Sequence, residues 1–103
     1  MAVKHITSSN FEQEVIQSDK PVLLDFWATW CGPCRMLSPV VEQLAGEVED
    51  VKICKINVDE EAELARKFRV ISIPTLIFMK DGKVVNSSIG LQQKGGILKM
   101  MEL

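Results

Sequence analysis

Basic residues are not in excess in this chain, and no apolar run approaches the ~20 residues that a membrane-spanning helix needs. Twelve Lys and Arg stand against 14 Asp and Glu, a formal net charge of −2, so nothing marks an electrostatic footprint for nucleic acid. Repeats, linkers and low-complexity tracts are missing too. Residues 1–103 therefore read as a single domain with one core. The opening Met1-Ala2-Val3-Lys4-His5 lacks the apolar stretch of a signal peptide, which points to the cytoplasm. Cysteine is scarce, with three in the chain. In a cytoplasmic protein so few cysteines do not make a structural disulfide framework; they indicate redox or metal chemistry with one thiol to spare. A zinc site is short of ligands: a closed one takes four, and beyond one close cysteine pair only Cys54 and the single histidine, His5, remain. Neither has a second ligand at suitable spacing. An iron–sulfur cluster shared between two copies is the other metal alternative.

What is present centres on Trp30-Cys31-Gly32-Pro33-Cys34-Arg35. The run Val22-Leu23-Leu24-Asp25-Phe26-Trp27 ahead of it reads as a buried strand, apolar on both faces apart from Asp25. Behind it, Leu37, Val40, Val41, Leu44, Ala45 and Val48 recur at the spacing of one helix face. The pair thus sits where a strand ends and a helix begins. A helix N-terminus carries partial positive charge and unpaired N–H groups, which stabilise a thiolate. Cys31, ahead of the first turn, is expected to be the exposed, ionisable thiol. Cys34, one turn in, is expected to be the more buried.

The other elements follow in order. Residues 3–6 read as a short edge strand. Ser9 and Glu12 fit a capping box for a helix with Phe11, Val15 and Ile16 on one face. The helix behind the cysteines is expected from residue 33 or 34 to about residue 49, with Pro39 inside it, where a missing N–H kinks the axis. Residues 51–58 form a second buried strand, parallel to the first through a right-handed crossover. Asp59 is expected to cap a short third helix whose Leu64, Ala65 and Phe68 face inward. A loop at Ser72-Ile73-Pro74 leads to the strand Thr75–Lys80. Asp81-Gly82 signals a two-residue hairpin turn, and Lys83–Ile89 returns antiparallel at an edge until Gly90. Residues 92–103 read as a terminal helix with Ile97, Leu98 and Met101 toward the sheet; Gly95 and Gly96 inside it weaken it by roughly 1 kcal/mol each relative to alanine. The whole is an α/β fold, a mixed central sheet of about five strands with helices on both faces.

Cys31 and Cys34 can cycle between dithiol and disulfide. One thiolate attacks a substrate disulfide and forms a mixed disulfide; the second thiol displaces the reduced substrate. Cys31 is the expected attacker and Cys34 the resolver. Gly32 and Pro33 carry no charge and no side-chain donor. A histidine there would stabilise the thiolate and make an oxidant, so the Gly-Pro pair favours a reductant. Asp25 in an apolar strand must be paired, neutral or functional: either a structural carboxylate satisfied by a nearby donor, or a proton acceptor. Cys54, in a buried strand, reads as a small hydrophobe, and Trp27 as core beside the site.

Trp-Cys-Gly-Pro-Cys behind an apolar strand, with Ile73-Pro74-Thr75 about forty residues on, resembles the thioredoxin family over nearly the whole chain. The resemblance implies several things. Asp25 and Lys55 match the family's buried acid and its lysine partner, so Asp25, through a water, would accept the Cys34 proton when that thiol attacks the mixed disulfide. The Ile73–Pro74 bond would be cis and packed against the dithiol, leaving Ile73 backbone groups to hold an extended substrate segment. Substrate would dock on a flat apolar rim of Trp30, Gly32, Pro33, Ile73, Pro74, Gly90 and Leu91. The protein would be a monomer and need no bound cofactor beyond its redox-active disulfide. Electrons would come from NADPH through a flavoprotein, thioredoxin reductase. Clients would be disulfide-forming proteins such as ribonucleotide reductase, peroxiredoxins and methionine sulfoxide reductases. The rival readings are an oxidase or isomerase of the same fold, and a binding module serving as an assembly or processivity subunit of another enzyme.

Overall fold

The computed structural model describes residues 2–102. One sheet carries the strands β1 (Lys4–His5), β2 (Val22–Trp27), β3 (Lys52–Asn57), β4 (Thr75–Lys80) and β5 (Lys83–Ile89) in the order β1-β3-β2-β4-β5. β3 runs parallel to both β1 and β2, and β4 antiparallel to both β2 and β5. The mixed five-stranded sheet is the one expected. Helix α1 (Gly32–Glu47) makes the crossover between β2 and β3; α2 (Ala62–Lys67) and α3 (Lys94–Met100) complete the shell with a π-helical turn at Glu12–Ile16.

Alternation along β2 divides the core between the two faces. Leu24 and Phe26 pack with Phe11, Val15 and Leu64 beneath the π-helical turn and α2. Leu23 packs on the other face with Leu37, Val41 and Leu44 of α1 and Ile97 and Met100 of α3. A strand covered on both sides has to be apolar throughout, and this is why Asp25, 1% exposed, stands out. Helix α1 runs unbroken through Pro39. The β4–β5 connection is a two-residue turn with Asp81 at φ 54° and Gly82 at φ 77°, the geometry that Asp-Gly favours.

Local expectations fail at three points. The Ser9–Glu12 capping box does not form: the π-helical turn has no side-chain cap, and Asn10 Oδ1 instead accepts from the Thr7 N–H at 2.8 Å. Asp59 does not cap α2, whose N-cap is Glu61; the Asn57 side chain accepts from the Asp59 N–H at 2.9 Å, and the Asp59 carboxylate is turned to another use. The terminal helix begins at Lys94, and the seven residues of α3 bury Ile97 and Met100 while Leu98 points outward. That is one-face spacing, which the adjacent Ile97 and Leu98 cannot both satisfy. Leu103, the end of the expected helix, lies outside the described residues. Just past Phe68, the C-cap of α2, Arg69 stands at φ 57°, a left-handed position with no glycine to announce it.

Candidate active site

Strand β2 ends at Trp27, and a turn through Ala28, Thr29 and Trp30 delivers Cys31 to the head of α1. Cys31 is the N-cap, with extended backbone at φ −92° and ψ 111°, and its sulfur accepts from the Cys34 N–H at 3.2 Å. A cap oxygen would ordinarily take that bond; here a sulfur does. Pro33 occupies the first turn, where a missing N–H leaves no helix bond unmade. One turn separates the two cysteines, with their Cα atoms 5.2 Å apart and their sulfurs joined in a disulfide.

Cys31 is not the exposed member of the pair. It is 5% exposed and Cys34 is 4% exposed. Trp27, Val58 and Ile73 pack around both, and the Ile73 carbonyl lies 3.8 Å from Cys31 Sγ. These side chains close over Cys31, so position ahead of the first turn does not by itself expose it. The Ile73–Pro74 peptide is cis. Pro74 is buried, and its carbonyl accepts from the Gly90 N–H at 2.8 Å, which brings the start of β4 and the end of β5 to the dithiol. Gly90 sits at φ 98°, which a residue with a Cβ rarely adopts.

Around the pair, Trp30 is 66% exposed, Pro33 and Leu91 are exposed, and Gly32, Ile73 and Gly90 are half-buried. Trp30 is held: its Nε1 donates to Asp59 Oδ2 at 2.8 Å. That is the use to which Asp59 is put, and a cap assignment hides it. Two further apolar side chains escape the sequence reading. Ile71, two residues before Ile73, is 95% exposed, and Met36, one turn along α1 from Pro33, is exposed as well. The signal for Met36 was its spacing from Pro33 on the helix face away from Leu37.

Beneath α1, Asp25 lies opposite Lys55 in the β2–β3 register. The two form no ion pair. The Lys55 ammonium donates to Ser38 Oγ of α1 at 2.8 Å and stands 4.8 Å from the centre of the Trp27 ring. Asp25 Oδ1 has no hydrogen-bond partner. Burial pushes the Asp25 carboxyl up to about 6, and the positive charge of Lys55 partly offsets this. Cys54 is buried among apolar side chains, and burial pushes its thiol up to about 12; it packs as a hydrophobe. Among the described residues, no group of three or more His, Cys, Asp or Glu is placed to hold a metal ion, and no helix is long and apolar enough to cross a membrane.

A cysteine pair that opens a helix, closes a disulfide across one turn and lies against a proline loop defines a thiol–disulfide oxidoreductase. The thioredoxin family model matches residues 2–103. The chain is 48% identical over 95 residues to thioredoxin of Mycobacterium tuberculosis (strain ATCC 25618 / H37Rv), covering 91% of this chain and 82% of that one. It is 44% identical over 97 residues to thioredoxin of Rickettsia prowazekii (strain Madrid E), covering 93% and 92%. Against thioredoxin of Porphyra purpurea it is 50% identical over 95 residues, covering 91% and 89%. The chain belongs to the thioredoxin family, and it reduces protein disulfides through a Cys31/Cys34 dithiol–disulfide cycle.

Proposed function

We propose that Cys31 is the attacking thiolate, Cys34 the resolving thiol and Asp25 the acceptor of its proton, in a protein that acts mainly as a reductant. The observation that carries this reading is the 3.2 Å hydrogen bond from the Cys34 N–H to Cys31 Sγ at the head of α1. It stabilises negative charge on one sulfur only. In the first step the Cys31 thiolate attacks a substrate disulfide; a Cys31–substrate S–S bond forms and the substrate's other sulfur leaves as a thiolate. In the second, Cys34 attacks Cys31 Sγ, its proton passes to Asp25 through a water, and the substrate leaves reduced. Two electrons move from the dithiol to the client. The donor to Cys31 is one neutral amide rather than a cation, which supports a reducing rather than an oxidising protein.

Docking would use the rim of Trp30, Gly32, Pro33, Ile73, Gly90 and Leu91, extended by Ile71 and Met36, with Pro74 buried behind it rather than on the surface as expected. Ile73 belongs to no strand, which suits it to hold an extended substrate backbone. Family membership implies a reductase partner and disulfide-bearing clients. The finer reading is a monomer, one domain over residues 1–103, working in the cytoplasm. It would draw electrons from NADPH through the flavoprotein thioredoxin reductase, for clients such as ribonucleotide reductase, peroxiredoxins and methionine sulfoxide reductases. Insulin reduction tests the assignment. Wild type should turn over with a reductant, Cys31→Ser should be inactive, and Cys34→Ser should stop at a trapped mixed disulfide through Cys31. A trapped adduct on Cys34 in Cys31→Ser would reverse the roles.

A further inference from the structure

Lys55 is not where its register alone would leave it. It lies beside Asp25 on the adjacent strand, on the sheet face that α1 covers. A lysine has a long flexible stem and three donors, and cross-strand neighbours are within its reach. Yet its ammonium is bonded to Ser38 Oγ at 2.8 Å, while Asp25 Oδ1, fully buried, is left without a partner. Ser38 is one turn beyond Cys34 on α1, so the hydroxyl that takes the cation and the thiol to be deprotonated lie along the same helix face.

We propose that Ser38 is a positioning residue for the resolving step: by accepting the Lys55 ammonium it keeps that cation off the Asp25 carboxylate, so the carboxylate stays basic enough to take the Cys34 proton. This rests on the reading of Asp25 as proton acceptor. The groups facing Asp25 are few. β3 sets Lys55 and β4 sets Leu76 opposite Asp25 in register, and helix α1, which packs over this sheet face, carries Cys34 and the Ser38 that bonds Lys55. Glu14, bonded to Lys4 and Lys52, belongs to the π-helical turn on the other face of the sheet. Among the described residues, Lys55 is thus the one cation able to pair with Asp25 from the elements packed on it. A direct ion pair would hold the carboxylate charged and weaken it as a base; a buried carboxylate with its lysine tethered elsewhere keeps its proton affinity.

The test is carboxyl NMR titration of Asp25 in the reduced, full-length protein. In Ser38→Ala the freed ammonium moves to Asp25, and the titration midpoint falls by about one pH unit. Lys55→Met raises the midpoint. The double variant matches Lys55→Met, because Ser38 acts only through Lys55. Ser38→Thr, which keeps a hydroxyl, restores the wild-type midpoint. An unchanged midpoint in Ser38→Ala, or a fall that persists without Lys55, overturns the proposal. The pH profile of mixed-disulfide resolution, followed by single-turnover kinetics in Ser38→Ala, should move with the carboxyl midpoint. A midpoint that moves while the rate profile stays fixed overturns the proton-acceptor reading of Asp25 rather than the hold of Ser38 on Lys55.

Discussion

Asp25 is the residue at which stability and function pull apart. Its carboxyl, ordinarily at 3.8, is raised to about 6 by burial, so the folded protein binds that proton more tightly than the unfolded chain. The contribution favours folding at low pH and is lost as pH rises from 3.8 through 6; at neutral pH the buried charge opposes folding by on the order of 3 kcal/mol. Asp25→Asn should therefore be more stable than wild type at neutral pH. Its advantage in urea or thermal unfolding should shrink to nothing near the ordinary carboxylate range. If Asp25 accepts the Cys34 proton as proposed, the same substitution should slow resolution of the mixed disulfide. Equal stability of the two proteins at neutral pH would contradict the burial account. The need for such an explanation was visible in the sequence, in one acid within an apolar strand. The tether on Lys55 was not, because Ser38 reads as an unremarkable helix residue until α1 is laid over β3.

At the scale of elements, strands and the long helix were legible because their patterns are strong. β2, β4 and β5 have the expected bounds, and α1 differs from expectation by a residue or two at each end. What failed were the ends of short elements, where several polar side chains compete for the same few N–H groups. Ser9, Asn10, Asn57 and Asp59 are all able caps by composition. Asn10 and Asn57 take the turns, and Asp59 is claimed by the Trp30 indole, 29 residues away in the chain. The last helix was legible as an amphipathic stretch but not in length. α3 has seven residues, two of them glycine. A Cβ at Gly95 would meet nothing within 4 Å. Gly95→Ala should therefore stabilise the protein by about 0.5–1 kcal/mol, read as a rise in Tm. A Cβ at Gly96 would meet Gln92 Oε1 at 2.6 Å, so the same change there has to displace a side chain and should gain less. No rise in Tm for Gly95→Ala would mean that α3 does not persist in solution.

The molecule as a whole is an arrangement for bringing distant segments to one sulfur. Strand β2 and α1 supply the cysteines, the loop before β4 supplies Ile73 and Pro74, the end of β5 supplies Gly90, and the loop after β3 supplies Asp59. Sequence spacing located the dithiol because both cysteines lie on one turn. It could not show that the sulfurs are nearly as buried as each other, since that depends on Trp27, Val58 and Ile73 closing over them. If the fold makes the thiolate, its reactivity belongs to the native state alone. The decisive measurement is the rate of iodoacetamide alkylation of the reduced protein at neutral pH, with the labelled site identified by mass spectrometry. Cys31 should react about tenfold faster than an ordinary free thiol, Cys34 and Cys54 should stay unlabelled, and urea should abolish the difference. Alkylation of Cys31 no faster than that of a free thiol, or at the same rate folded and unfolded, would contradict the account.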